Sequence, residues 1–149
     1  MQYSADMVFQ RIYQGPRPPQ GSSLRDSGID VVVLCAKEYQ VDSPQDLGFP
    51  GVHVIRAPSI DAECVIPEHW ISSWHAAAQS VASAVREGKT ALVTCHQGLN
   101  RSGVVSALAI HYLTGFAGSR CAKIVQHSRE GALFNRSFVA YLSSIAGIP

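Results

Sequence analysis

The chain has 149 residues, a length that suits one domain with a buried core and leaves little room for a second. Hydrophobic residues make up 46% of it and charged residues 15%, which excludes a disordered or fibrous chain. A formal net charge of +1 argues against a protein that holds nucleic acid or an anionic membrane by bulk positive charge. We therefore expect a single domain over residues 1–149, with any anion-binding site confined to a small region.

The hydrophobic pattern predicts alternating strands and helices. It indicates a strand over 8–13, a proline-rich loop over 15–21, a short helix over 22–27, and strands over 30–35 and 52–56. An amphipathic helix over 67–86 follows, in which Trp70 and Trp74 pack into the core, then a strand over 91–94 and helices over 102–113, 119–129 and 135–145. This order predicts an α/β fold with a central, mostly parallel sheet of about four to five strands flanked by helices.

The sequence shows no segment that would target or anchor the chain. Its apolar runs are far shorter than the roughly 20 residues that cross a bilayer, and residues 1–10 lack the features of a signal peptide. The 4 cysteines are widely spaced, which favours free thiols over a disulfide framework or a zinc site. We expect a cytoplasmic protein with no metal and no cofactor.

The turn after the strand at 91–94 carries the chemistry, because ligands bind at the carboxyl ends of strands in α/β sheets. There the chain reads Cys95-His96-Gln97-Gly98-Leu99-Asn100-Arg101-Ser102. Backbone N–H groups at a helix N-terminus bind phosphate, and an arginine adds two parallel hydrogen bonds. The same positive potential favours a thiolate at Cys95. We predict a phosphate-binding loop over residues 96–101 with Cys95 as nucleophile. Considered separately, Cys95 would be interpreted as a buried core thiol and Arg101 as a surface charge.

The pattern Cys95-x-x-Gly98-x-x-Arg101-Ser102 resembles the signature of cysteine-dependent protein tyrosine phosphatases, especially small dual-specificity phosphatases. The similarity extends over nearly the whole chain, through Leu24-x-x-x-Gly28-Ile29, an aspartate loop, the long helix and a late Asn135-x-x-Phe138. Low-molecular-weight phosphatases, whose cysteine lies near the N-terminus, and rhodaneses, which lack the upstream acid, are less similar. The resemblance implies the phosphatase fold and metal-independent hydrolysis through a phosphocysteine intermediate.

The resemblance also implies roles for residues outside the loop. A general acid is expected on a loop about thirty residues before the cysteine; Asp61 fits this position, and Glu63 is its rival. Ser102 would donate a hydrogen bond to the departing thiolate or cap a helix, and Asn135 would brace the loop or cap the last helix. Thr94 stands where the family usually has histidine, which leaves the pKa of the thiolate open.

Substrate preference is less defined. The loop holds no lysine, which argues against phosphoinositides, and a short chain without an obvious insertion favours a shallow site for phosphotyrosine and phosphoserine or phosphothreonine. The stretch 98–101 also resembles the loop of RNA 5′-triphosphatases, and a non-catalytic phosphate-binding module is a further alternative. Expected partners are a phosphorylated protein or small phosphomonoester, with phosphate, sulfate or vanadate in the loop; we expect no membrane and no nucleic acid. Cys64 and Cys121 are candidates for trapping an oxidised Cys95 as a disulfide.

Overall fold

The computed structural model describes residues 4–18, 24, 26–40 and 51–149. In this part of the chain one sheet contains the strands β1 (Asp6–Phe9), β2 (Ile12–Pro16), β3 (Val31–Ala36), β4 (His53–Ser59) and β5 (Ala91–Cys95). The α-helices are α1 (Glu68–Arg86), α2 (Arg101–Thr114), α3 (Gly118–Ser128) and α4 (Arg136–Ser143). This arrangement confirms the predicted α/β fold class.

The sheet is parallel except at one edge. Its strand order is β1-β2-β5-β3-β4, and only β1 runs antiparallel to its neighbour. The central strand β5 is buried along its whole length, between β2 and β3. Because parallel strands end at the same side, the segments that follow β2, β3, β4 and β5 meet at one edge of the sheet.

The N-terminal prediction was wrong in one respect. Residues 8–13 do not form one strand, because the chain turns at residues 10 and 11 and Arg11 adopts a φ of +59°. The alternation of apolar and polar residues continues through this turn because each strand of the hairpin packs one face against the core. Gly15 and Pro16 extend β2 rather than beginning a loop. The helix expected over 22–27 lies partly outside the described residues, and its described positions 24, 26 and 27 are turns.

The remaining predicted elements are confirmed with boundary shifts of a few residues. Helix α1 begins after Pro67, and α2 ends at Gly115, whose φ of +76° is the left-handed conformation that a glycine C-cap supplies. Asn135 caps α4, since its Oδ1 accepts a hydrogen bond from the N–H of Phe138.

The core lies mainly on one face of the sheet. There the helices pack on alternate strand residues such as Val31 and Val33, whereas Val32 and Leu34 face a smaller cluster on the other side. The indole of Trp74 in α1 packs edge-on against the ring of Phe138 in α4, 5.1 Å between ring centres. Among the described residues, none of the helices combines the length and hydropathy of a membrane span.

Replacing Phe138 with alanine should lower the free energy of unfolding by about 3–5 kcal/mol, because the ring is buried and its loss leaves a cavity beside Trp74. Phe134, which is 63% exposed, is the matched control, and Phe134→Ala should change this free energy by less than about 0.5 kcal/mol. Urea unfolding measures both variants. Equal losses would contradict the packing described above.

Candidate active site

Cys95 lies at the base of the site, where β5 ends. It is 4% exposed, and residues 96–100 connect it to the start of α2. Its Sγ lies 3.3 Å from the Oγ of Ser102. Ser102 sits inside the first turn of α2, whose N-cap is Asn100, so the expectation that Ser102 caps the helix is wrong. Its hydroxyl is instead positioned to donate a hydrogen bond to the sulfur.

The loop between Cys95 and Arg101 is held from behind through its carbonyl oxygens. Gln14 Nε2 donates to the carbonyl of Gly98 at 2.9 Å, and Arg129 donates to the carbonyls of Gly98 and Gln97 at 2.7 and 3.1 Å. In a trans peptide the C=O and N–H groups point in opposite directions. Because the carbonyls of Gln97 and Gly98 are bonded on the outer side of the loop, the N–H groups that follow them point to its concave side. An anion-binding loop requires this orientation.

Gly98 is required by this geometry. Its φ is +72°, and a Cβ at this position would lie 2.6 Å from the backbone nitrogen of Pro16 in β2. That distance is shorter than real contacts of a Cβ, and the atoms it would meet are backbone that cannot rotate away. The loop can approach β2 only because residue 98 has no side chain.

Arg101 is 5% exposed, and its guanidinium is fixed by a carboxylate that the sequence analysis did not single out. Nη1 and Nη2 donate to the two oxygens of Glu38 at 2.6 and 3.1 Å, and Nη1 also donates to the carbonyl of Ser59 at 3.0 Å. Nε is buried and has no hydrogen-bond partner among the described residues. Glu38 thus occupies one bidentate edge of the guanidinium and leaves the edge of Nε and Nη2 for a phosphate.

The ion pair between Arg101 and Glu38 shifts the pKa of both side chains. Hydrogen bonding from Arg101 lowers the pKa of Glu38. Burial opposes the charge of Arg101, but the hydrogen bonds to Glu38 and the charge of Cys95 outweigh burial and raise its pKa. Glu38 lies in the short 3-10 turn Lys37–Tyr39 after β3. A charged residue directly after a buried parallel strand was the signal that could have identified it.

Asp61 is joined to the loop by two asparagines. Asn100 Nδ2 donates to Asp61 Oδ2 at 3.0 Å, and Asn135 Nδ2 donates to Asp61 Oδ1 at 2.9 Å. Asn100 Oδ1 in turn accepts the backbone N–H groups of Phe134 and Asn135, each at 2.9 Å. Asn135 therefore caps α4, contacts the signature loop and holds Asp61, which combines the two roles that the sequence left as alternatives.

One cleft brings Asp61 and Arg101 together. It has a volume of about 520 Å³ and is lined by Lys37, Glu38, Ile60, Asp61 and Arg101. Glu63, the rival carboxylate, is not part of this lining and pairs instead with Arg136 at 3.0 Å on the surface. The hydrogen bond from Arg136 lowers the pKa of Glu63. Of the two carboxylates, Asp61 therefore lies in the cleft with Arg101, and Glu63 lies outside it.

Four other predicted residues lie further from Asp61 and Arg101 or make contacts of another kind. The hydroxyl of Thr94 donates to the carbonyl of Val33 at 2.8 Å, so it braces β5 against β3. His96 is exposed and lies against Tyr39, with 5.4 Å between ring centres. Gln97 is also exposed, whereas Leu99 is half-buried.

The cysteines Cys35, Cys64, Cys95 and Cys121 are free thiols, as the sequence predicted. Cys35, in the strand next to β5, shares the buried cluster that contains Cys95, and its pKa is raised by burial and by the charge of Cys95. Burial raises the pKa of Cys121 to about 11, and Cys64 is exposed on the segment that carries Asp61. In the described residues, no group of three or more His, Cys, Asp or Glu side chains is arranged to hold a metal ion.

Comparison of the structure with solved structures identifies its fold. Neither protein-family models nor curated proteins match this sequence. Human DUSP28 matches with a TM-score of 0.78 and 23% identity over 97% of this chain and 93% of that chain. A mouse putative dual specificity phosphatase complexed with zinc tungstate matches with a TM-score of 0.79 and 24% identity over 97% and 87%.

This chain has the dual-specificity phosphatase fold. PTPMT1 in complex with PI(5)P has the same fold, with a TM-score of 0.78 and 15% identity over 94% of this chain and 92% of that chain. In all three structures the shared dual-specificity phosphatase fold coexists with a largely different sequence, so the likeness concerns architecture and leaves substrate open.

Gly98→Ala should lower the free energy of unfolding by at least about 2 kcal/mol more than Gly88→Ala. Both glycines have a positive φ, at +72° and +82°, but a Cβ at Gly88 meets no atom within 4 Å. The comparison therefore isolates the approach of the loop to β2. Chemical denaturation measures the difference, and equal losses in the two variants would contradict the close approach.

Glu38→Gln should lower the free energy of unfolding by about 1 kcal/mol at pH 7, because it weakens the partner of the buried Arg101. Glu63→Gln, which alters an exposed ion pair, is the control and should leave the free energy of unfolding close to that of the wild type. The pKa of Glu38 is lowered in the folded protein, so its stabilising contribution exists above its unfolded pKa and disappears as the pH falls through the folded pKa. Unfolding curves from pH 7 to acid should converge for wild type and Glu38→Gln; a constant gap would exclude the ion pair as the cause.

Proposed function

We propose that this protein is a cysteine-dependent phosphatase that hydrolyses phosphotyrosine, and also phosphoserine and phosphothreonine, in proteins. The observation that carries the proposal is that Asp61 and Arg101 line one cleft beside the loop that begins at Cys95. A module that only binds phosphate needs an arginine but neither a nucleophile nor an acid. The combination of all three is what phosphate transfer to a thiolate requires.

In the first step the thiolate of Cys95 attacks phosphorus and an S–P bond forms. The P–O bond to the substrate breaks, and Asp61 donates its proton to the leaving oxygen, which departs as a neutral alcohol or phenol. Each carboxyl oxygen has two lone-pair positions, so the amide bonds from Asn100 and Asn135 leave room for that proton. The free edge of Arg101 and the N–H groups of the loop stabilise the charge on the equatorial oxygens.

In the second step water hydrolyses the phosphocysteine. Asp61, now a carboxylate, accepts a proton from the water as the oxygen attacks phosphorus. The S–P bond breaks, inorganic phosphate leaves, and the sulfur departs as a thiolate. Ser102, whose Oγ lies 3.3 Å from Sγ, donates a hydrogen bond to this developing charge.

The loop composition supports a protein substrate over a phosphoinositide. His96 and Gln97 are the exposed side chains of the loop, and Arg129 faces its carbonyl side, so within the loop residues 96–101 only Arg101 offers a permanent cation to the phosphate. The structural neighbours include a tungstate complex and a PI(5)P complex, which agrees with an oxyanion site and phosphomonoester chemistry in this fold. We accordingly place phosphoproteins ahead of lipids as substrates.

The test is hydrolysis of an aryl phosphate and of phosphotyrosine and phosphoserine peptides, with a metal chelator present. Cys95→Ser should lower kcat/KM by more than about a thousandfold, since an alcohol replaces the thiolate nucleophile. Asp61→Asn should lower kcat by about 10²–10⁴-fold for phosphoserine and much less for an aryl phosphate whose leaving group needs no proton.

The matched controls are Cys64→Ser and Glu63→Gln, which change the same residue types outside the cleft. Both should retain wild-type rates, and all variants should show wild-type circular dichroism. A folded protein that binds vanadate without turning over any of these substrates would overturn the proposed activity. A preference of more than tenfold for a phosphatidylinositol phosphate or an RNA 5′-triphosphate over the peptides would overturn the proposed substrate class.

A further inference from the structure

A stack of three side chains lies beside Cys95 and has no role in the chemistry described above. It consists of Arg17, Tyr39 and His96, which follow the carboxyl ends of β2, β3 and β5. The guanidinium carbon of Arg17 lies 4.2 Å from the centre of the Tyr39 ring. His96 stacks on the same tyrosine with 29° between the ring planes. Each of the three adjacent parallel strands is thus followed by one side chain of the stack.

The stack is held by more than ring contact. The hydroxyl of Tyr39 lies 2.7 Å from His96 Nδ1, and the backbone N–H of Arg17 donates to the carbonyl of His96 at 3.3 Å. A cation over a tyrosine face is an attractive arrangement that orders a long side chain. Because Arg17 and His96 both lie against Tyr39, we interpret the tyrosine as the holder of two nitrogen donors rather than as a platform for a substrate ring.

The nitrogen donors of the stack are available to a ligand. Arg17 is exposed, and within the described residues its guanidinium forms no ion pair with a carboxylate. When the hydroxyl of Tyr39 donates to Nδ1 of His96, the proton of the neutral imidazole is on Nε2, where it can be donated outward. Arg17 and Tyr39 also line a small cavity of about 10 Å³ together with Thr94 and Cys95, which places the stack beside the proposed nucleophile.

We call the surface around Arg17, Lys37, Glu38 and Asp61 the mouth of the site. It is more positive than the whole chain, whose net charge is +1. Lys37 lines the adjoining cleft, which adds a second cation to Arg17. The carboxylates nearby are already bonded: Glu38 pairs with Arg101, and Asp61 accepts from two asparagines. The mouth therefore presents cations whose charge no neighbouring described carboxylate neutralises, and it will attract an anionic group.

We propose that Arg17, ordered by Tyr39 and assisted by His96, binds an acidic side chain that flanks the phosphorylated residue of a protein substrate. The inference rests on the proposed phosphatase function and adds the sequence context that the site selects. A peptide can place its phosphate on the loop and a neighbouring carboxylate on Arg17, because Arg17 lies beside the start of the loop: its backbone N–H bonds the carbonyl of His96, and its guanidinium lies over the ring that contacts His96. An arginine fork matches the two oxygens of a carboxylate.

The experiment compares two phosphotyrosine peptides of equal length, one with glutamate and one with glutamine on both sides of the phosphotyrosine. The measured quantity is the ratio of kcat/KM for the acidic peptide to that for the neutral peptide. We expect a wild-type ratio of about five, the size of an exposed charge-assisted contact, and a fall to about one in Arg17→Gln. Arg11→Gln removes the same charge at the opposite end of β2 and should keep the wild-type ratio.

Tyr39 is tested as a positioning residue. Tyr39→Leu should lower the ratio as Arg17→Gln does, because the cation loses its ring, and Tyr39→Phe should restore most of it, because the ring remains. A ratio that Arg17→Gln leaves unchanged, or that Arg11→Gln lowers equally, would overturn the inference. A wild-type protein that hydrolyses both peptides at equal kcat/KM would overturn only this inference. A wild-type protein that hydrolyses neither would overturn the proposed function and the inference with it.

Discussion

Parallel pairing of β5 with both β2 and β3 is the constraint on which the site depends. Because these strands run in the same direction, the segments that follow them end at one edge of the sheet. Cys95 comes from the central strand, Arg17 from one neighbour and Glu38 from the other. The close approach of Gly98 to Pro16 then fixes the loop against β2. The positions of Cys95, Arg17 and Glu38 follow from strand direction, and the position of the loop follows from this approach.

Buried charge explains much of the remaining architecture. Arg101 and Arg129 are both buried, and each is bonded to a carboxylate and to backbone carbonyls from distant parts of the chain. An unpaired buried guanidinium would cost several kcal/mol, so each arginine requires its partners and thereby fixes them. Arg101 orients Glu38, and its Nε has no hydrogen-bond partner among the described residues. Arg129 holds the loop through its carbonyl oxygens. Two positive charges thus organise the site in a chain that is almost neutral overall.

The amino-acid sequence by itself determined the α/β class, the positions of most elements and the signature loop. These features are local: β-branched runs, helical periodicity, Pro67 before α1 and Gly115 after α2 depend on neighbours in the chain. The spacing of Cys95, Gly98 and Arg101 is local as well, because all three lie on one short turn between a strand and a helix. The sequence also favoured Asp61 over Glu63, the other carboxylate of the same segment, through its distance before Cys95 and the family resemblance.

Tertiary structure decided which distant side chains act on that loop. Gln14 and Arg129 have no local pattern that marks them, and the position of Glu38 after a buried strand does not reveal its partner; all three reach the site only because the sheet and α3 bring them there. The choice of Asp61 over Glu63 depends on Asn100 and Asn135, which meet only when α4 packs beside the loop. Hydrogen bonds and ion pairs act over a few ångströms, whereas these residues are separated by many positions in the chain. Periodicity and spacing therefore identify the candidate nucleophile, and only packing identifies the side chains that contact its loop.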